Sequence, residues 1–231
     1  MNKNDLFYMA ANKGDFVEVS YTGRIKYNNI VFDTTDEETA KNNKLYNKNA
    51  AYGPVTICIG NRELIKGLDD FLVGKETGKE YEVEVNAKDA FGEKNSRLYH
   101  LVNTAKFIKQ NIRPYPGMQV NVDNAFGIVK TVSGGRTMVD FNHPLAGKEV
   151  IYKIKIDKII TDTNEKIKSY ISKLIGEEIK FKFESNRLEI HCNVEEPLKK
   201  IMAEQLKKVI PEIEDVEFKA VEEEKKVGNK E

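Results

Sequence analysis

Apolar and polar residues alternate sharply at several points along the chain. Val17, Val19 and Tyr21 alternate with Glu18 and Ser20, which predicts a strand over 16–22 with one apolar face. Residues 30–33 form a short apolar run closed by an acid, and 55–59 read as a buried strand. Tyr81, Val83 and Val85 alternate with Glu82 and Glu84, and Tyr152, Ile154 and Ile156 with Lys153 and Lys155, predicting strands over 81–85 and 150–156. Leu64, Ile65, Leu68, Phe71 and Leu72 recur at helical spacing, in a helix opened by Gly60-Asn61 and stopped by Gly74. Gly67 inside that helix costs about 1 kcal/mol relative to alanine, so it implies a packing reason. Residues 34–52 are polar and Asn-rich without a period, a long excursion with a short helical piece at 36–42.

Further on, a mixed stretch at 94–112 ends in Arg113-Pro114-Tyr115-Pro116-Gly117. Short strands at 118–122, 126–132 and 137–141 follow, with turns at Asp123-Asn124 and at 133–136, which predicts a small all-β module. From Thr161 the texture changes. Asp162 and Glu165 form a capping box, and Ile167, Tyr170, Ile171, Leu174 and Ile175 mark a helix over 163–175 ended by Gly176. Alternating segments at 179–184 and 187–193 flank Ser185-Asn186. A helix at 197–210 starts at Pro197, and a strand at 215–220 closes an α-β-β-α-β order. The final EEEKKVGNKE reads as a solvated tail.

Composition narrows the functional classes. The 231 residues carry 37 Lys+Arg and 37 Asp+Glu. A zero net charge argues against nucleic-acid binding through a globally basic surface. No run reaches the ~18 apolar residues of a membrane span, and residues 1–15 lack the apolar core of a signal peptide. Cys58 and Cys192 stand far apart and suggest no disulfide framework, so a reducing, cytoplasmic setting is expected. His100, His143 and His191 show no metal-ligand spacing with cysteine, and His191 and Cys192 point to opposite faces of a strand. Phosphate-binding, dinucleotide and nucleophile-elbow motifs are missing from the sequence. No cofactor and no metal are expected.

What remains is an ordered series: Val19-Ser20-Tyr21-Thr22-Gly23, Val31-Phe32-Asp33-Thr34-Thr35, Leu64-Ile65-Lys66-Gly67-Leu68, residues 74–79, Asp89-Ala90-Phe91-Gly92, the return segment 142–148, and Val150-Ile151-Tyr152-Lys153-Ile154. In that order the residues resemble the FKBP family of peptidyl-prolyl cis–trans isomerases. The segment 142–148 is similar to the return from the inserted domain of the long, SlyD-type members. The block from about 158 is similar to the extension of long-chain archaeal members.

The resemblance implies an α+β fold: an FKBP antiparallel sheet around a short helix, an inserted small β-rich domain, and a C-terminal α-β-β-α-β domain. The domains would be 1–93 plus 142–157, 94–141 and 158–231. It also implies a prolyl pocket. Tyr21, Phe32 and Asp33 would supply a wall and an acid, and Ile65 a backbone contact beside Leu64. Leu68 would be the floor where short members carry Trp. Phe91 stands in place of a usual Tyr, Tyr152 in place of Phe, and Leu145 and Ala146 would form the rim. The insert would bind unfolded chains and hand their prolines to the pocket. Its client-binding candidates are Tyr115, Met118, Val120, Phe126, Ile128 and Met138, most of them core and the remainder facing outward. The expected partners are proline-containing unfolded or partly folded polypeptides, with no nucleic acid and no membrane, and the C-terminal domain suggests a homodimer. One alternative stays open. Phe91 lacks the hydroxyl able to hold a substrate carbonyl, and the chain has no Trp, so the same fold could hold clients without turnover.

Overall fold

The computed structural model describes residues 9–176 and 179–220. The tail at 222–231 therefore lies outside the described residues. Among these residues twelve strands form three sheets, accompanied by five α-helices.

The first sheet is antiparallel and built on two long strands. β1 (Phe16–Ile25) pairs along its length with β9 (Val150–Ile160). β4 (Glu80–Val85) lies beyond β9, while β2 (Val31–Thr34) and β3 (Val55–Cys58) share the other edge of β1. α1 (Glu37–Asn42) interrupts the polar excursion after β2, capped by the Asp36 carboxylate, which accepts the Thr39 N–H at 2.7 Å.

α2 (Lys66–Leu72) lays Leu68 and Leu72 on this sheet, at 1% and 0% exposure. It begins later than the expected start at Gly60. The reason is a competing set of side-chain bonds. The buried Asp69 carboxylate accepts the Gly60 and Arg62 N–H groups at 2.8 and 3.1 Å, and Glu63 accepts the Cys58 N–H at 3.0 Å. These hold 60–65 as a loop. Gly67 has its packing reason: a Cβ there would meet Val85 Cγ1 at 2.3 Å.

The insert is not all-β. β5 (Tyr99–Asn103) and α3 (Thr104–Ile108) occupy the mixed stretch, followed by β6 (Gln119–Val122), β7 (Ala125–Ser133) and β8 (Arg136–Asp140). The sheet order is β5-β8-β7-β6, and Phe107 of α3 packs on Val120, Val129 and Val139. The insert's neck is held by a reciprocal pair: the Asn95 N–H donates to Asn142 Oδ1 at 2.7 Å, and Asn142 Nδ2 donates to the Asn95 carbonyl at 3.2 Å.

The C-terminal unit comprises α4 (Thr163–Ile175), β10 (Phe181–Glu184), β11 (Arg187–His191), α5 (Glu196–Val209) and β12 (Asp215–Lys219). Asp162 accepts the Glu165 N–H at 2.8 Å, and Gly176 ends α4 with φ +80°. β9 runs past the expected boundary at 157. Its Ile160 pairs with Phe16, and both join Cys58 in the apolar cluster formed by Ile167, Ile171, Leu188, Ile190 and Leu206. The C-terminal core is thus completed by three side chains of the first sheet.

Candidate functional site

The opposite face of β1 carries a cluster of aromatic rings. Tyr21 pairs across the sheet with Ile154, and Gly23 with Tyr152. A Cβ at Gly23 would lie 2.7 Å from Tyr152 Cε1 and 2.9 Å from Phe32 Cζ, so glycine is what lets the two rings meet over the strand. The rings pack edge to face. Centroid separations are 5.8 Å for Tyr21–Tyr152, 5.7 Å for Phe32–Tyr152 and 5.6 Å for Phe32–Phe91.

Tyr21 is fixed by Thr35, the residue that follows β2. Its N–H donates to Thr35 Oγ1 at 2.9 Å, and its carbonyl accepts the Thr35 N–H at 3.0 Å. Burial, and then the neighbouring Asp33 carboxylate that accepts its hydroxyl, push the Tyr21 phenol up to about 12. Asp33 lies on an exposed edge of β2. Its carboxyl is nonetheless raised, first by burial against the pocket, with the bonds from Tyr21 and the Thr34 N–H acting the other way. Burial, and then Asp33, raises Tyr152 as well.

Leu64 and Ile65 enter from the loop before α2, and the Ile65 carbonyl starts the helix by accepting the Leu68 and Asp69 N–H groups at 3.0 Å. A 3.0 Å ion pair between Lys66 and Asp89 ties the head of α2 to the turn that carries Phe91. Beside Tyr21 and Asp33, a cleft of about 330 Å³ opens towards Leu45, Asn47 and Tyr52 of the polar excursion.

Tyr21, Phe32, Leu64, Ile65, Leu68, Phe91 and Tyr152 therefore share one apolar cluster, with Asp33 at its lip. Leu145 and Ala146 stand apart from that cluster. They lie in the return turn, half-buried and buried. The Gly147 N–H joins the turn to the Gly92 carbonyl at 2.8 Å. The residue that does reach the cluster from this turn is His143. Its ring stacks on Phe91 at 4.9 Å with planes 3° apart, and its Nδ1 accepts the Leu145 N–H at 3.2 Å. A histidine in a polar turn gives no periodic signal, so sequence reading missed it.

In the insert, Val120 is buried at 6% exposure beneath α3, which removes it from any client surface. Met118 packs partly against that core, and Ile128 and Met138 are half-buried. Tyr115 and Phe126 are open, at 60% and 79% exposure. The unrecognised β5 adds Leu101, exposed and opposite Met138. A groove of about 570 Å³ runs along β5 past Leu98, His100 and Phe141 to Val122 and Ala125.

The site is thus a set of apolar rings around one acid–phenol pair on a five-stranded antiparallel sheet. Residues 8–108 match the family described as FKBP-type peptidyl-prolyl cis-trans isomerase, and residues 100–145 match the FKBP26 IF domain. The chain is 33% identical over 144 residues to the short-type peptidyl-prolyl cis-trans isomerase of Methanocaldococcus jannaschii, covering 62% of this chain and 90% of that protein. It is 27% identical over 131 residues to the FKBP-type 16 kDa peptidyl-prolyl cis-trans isomerase of Escherichia coli, covering 54% and 81%. It is also 26% identical over 133 residues to the SlyD isomerase of Pasteurella multocida, covering 55% and 66%. The chain belongs to the FKBP-type peptidyl-prolyl cis-trans isomerases. It is an enzyme of that class, and its substrates are proline-containing polypeptides.

Proposed function

We propose that X-Pro isomerisation takes place in the Tyr21–Tyr152 pocket. The observation that carries this reading is the convergence of Tyr21, Phe32, Leu64, Ile65, Leu68, Phe91 and Tyr152 in one cluster, with Asp33 bonded to Tyr21 at its edge. The planar X-Pro amide must cross a rotation barrier of ~18–20 kcal/mol. Its planar form is stabilised by charge separation, which water solvates well and apolar rings solvate poorly. The twisted form has lost that resonance and suffers less on entering the pocket. Binding the twisted form better than the planar one lowers the barrier without a nucleophile or general base. Asp33 holds the Tyr21 hydroxyl, and with it the ring, in place. Phe91 contributes a ring edge but no hydroxyl, so substrate carbonyls are held by other groups, with Ile65 as the backbone contact. Leu145 and Ala146 close the rim through the His143–Phe91 stack.

The insert acts as a client-capture module, giving the protein a chaperone role. Exposed Leu98, Leu101, Tyr115 and Phe126 and the groove along β5 support this, as does the edge position of β5, which offers backbone groups for pairing with an extended client. A cytoplasmic setting is supported by the two free, buried thiols and by the lack of any membrane-crossing helix among the described residues. Homodimerisation through the C-terminal unit is supported by exposed Leu174 on α4 and Leu198 and Ile201 on α5. Ile201→Glu should turn a sedimenting dimer into a monomer, and a parent chain that sediments as a monomer removes the idea.

Turnover of an X-Pro tetrapeptide tests the pocket. Phe32→Ala and Asp33→Ala should reduce it with the fold intact, and unchanged rates in both would reject the assignment. Replacing 96–140 by a short loop tests capture. It should slow proline-limited refolding of a protein client far more than tetrapeptide turnover, because the insert raises the local concentration of client prolines. Equal losses on both substrates would reduce the insert to a shaper of the pocket.

A further inference from the structure

The loop between β3 and α2 places Leu64 and Ile65 in the pocket, and it is held from two sides. From beneath, Asp69 accepts the Gly60 and Arg62 N–H groups. The second hold comes from the C-terminal unit. Glu63 turns back on its own loop, accepting the Cys58 N–H at 3.0 Å and a bond from Asn61 Nδ2 at 3.3 Å. Its side chain is only 15% exposed. A carboxylate so enclosed needs a counter-charge. Lys173 of α4, 110 residues further along the chain, supplies it, and the same ammonium contacts the Thr56 carbonyl on β3. One turn earlier on the same helix face, the Tyr170 hydroxyl accepts from Asn61 Nδ2 at 3.5 Å. The Tyr170 ring meets Phe16 edge to face at 6.3 Å. Ile167 and Ile171, fully buried beside these residues, fix α4 itself.

Both polar anchors of the loop, Asn61 and Glu63, are thus met by α4, and the next residues along the chain are Leu64 and Ile65. The apolar contacts of Phe16 and Ile160 would keep the C-terminal unit attached without these polar ones. The polar contacts instead fall on the segment that enters the pocket.

We infer that Lys173 and Tyr170 are positioning residues for isomerisation: the C-terminal unit sets the geometry of the 61–65 loop and, through it, of the pocket wall. This rests on the assignment of Leu64 and Ile65 to the prolyl pocket. Lys173 touches no substrate; it acts through Glu63. A wall residue displaced by about 1 Å is enough to cost one to two orders of magnitude in rate.

The test uses the full chain at a temperature where every variant is folded by circular dichroism. Lys173→Met should lower kcat/KM on an X-Pro tetrapeptide about tenfold and speed amide exchange at Leu64 and Ile65. Lys173→Arg keeps the charge and should restore most of the activity. Adding Glu63→Gln to Lys173→Met removes the stranded carboxylate and should recover part of the loss. Lys200→Met, exposed on α5, should leave kcat/KM unchanged. Should Lys173→Met fail to fold, Tyr170→Phe removes a single hydroxyl and should lower kcat/KM in the same direction. A folded Lys173→Met or Tyr170→Phe with kcat/KM within about twofold of the parent, whatever its melting temperature, reduces α4 to a structural support. If Phe32→Ala and Asp33→Ala abolish turnover in that case, the pocket stands and the positioning role falls. If they too are active, the pocket assignment itself has failed.

Discussion

The imidazole of His143 lies flat on the ring of Phe91, with centroids 4.9 Å apart and planes 3° from parallel. This contact joins the return from the insert to the aromatic pocket. A ring pair of this kind is worth about 0.5–1.5 kcal/mol. His143→Ala should therefore lower kcat/KM on a tetrapeptide about two- to tenfold. His143→Phe keeps a stacking surface and should stay close to the parent, and equal losses in the two variants would point to the Leu145 N–H bond instead.

The Tyr21–Asp33 pair has a spectroscopic signature. With its phenol pushed from 10.0 up to about 12, Tyr21 keeps its proton in the folded chain where the unfolded chain has lost it. Its contribution to stability is complete below pH 10 and declines as pH rises from 10 to 12. Ultraviolet titration of Asp33→Ala should show Tyr21 and Tyr152 both moved to lower pH, because the neighbouring charge is gone from both and the acceptor from Tyr21. An unchanged titration would leave burial as the sole cause.

Asp140 contributes to the acid limb of stability. Burial alone would raise its carboxyl, but bonds from the Asn142 side chain and N–H, from Lys94 and from Tyr99 outweigh it and bring the value from 3.8 down to about 2. The stability it contributes is present above pH 3.8 and lost as pH falls towards 2. Asp140→Asn should cost about 2 kcal/mol near neutrality and flatten the acid denaturation curve in that window, read by fluorescence or circular dichroism.

Gly67→Ala should destabilise the chain by about 1–3 kcal/mol through overpacking against Val85. Val85→Ala in the same chain should recover part of that loss, because it removes the methyl that a Cβ would strike at 2.3 Å. Additive losses in a denaturant-unfolding cycle would show that the two positions do not meet.

Much of this fold was legible in residue order, and its limits have physical causes. The period-two strands around Val17, Val83 and Ile154, and the capped helix from Asp162 to Gly176, follow from local chemistry alone. β5 and α3 escaped because a five-residue edge strand and a five-residue helix carry too few positions to show a period. The start of α2 was misread because its competitors, Asp69 and Glu63, act through side-chain bonds that periodicity does not encode. That the rings of Tyr21, Phe32, Phe91 and Tyr152 gather in one cluster was legible through family resemblance. His143, Glu63 and Lys173 were not, since each matters through a partner distant in sequence or outside any repeat.

Phe16 illustrates the same limit and leads further. It falls outside the alternating set Val17, Val19 and Tyr21, yet is 1% exposed because α4 covers the other face of β1. One strand therefore serves two cores, back to back. The C-terminal unit cannot detach without exposing Phe16, Cys58 and Ile160 to water, and the sheet that carries the pocket loses a cover at that moment. The two cores are therefore expected to unfold together, and heat should melt them in one calorimetric transition rather than as beads on a string.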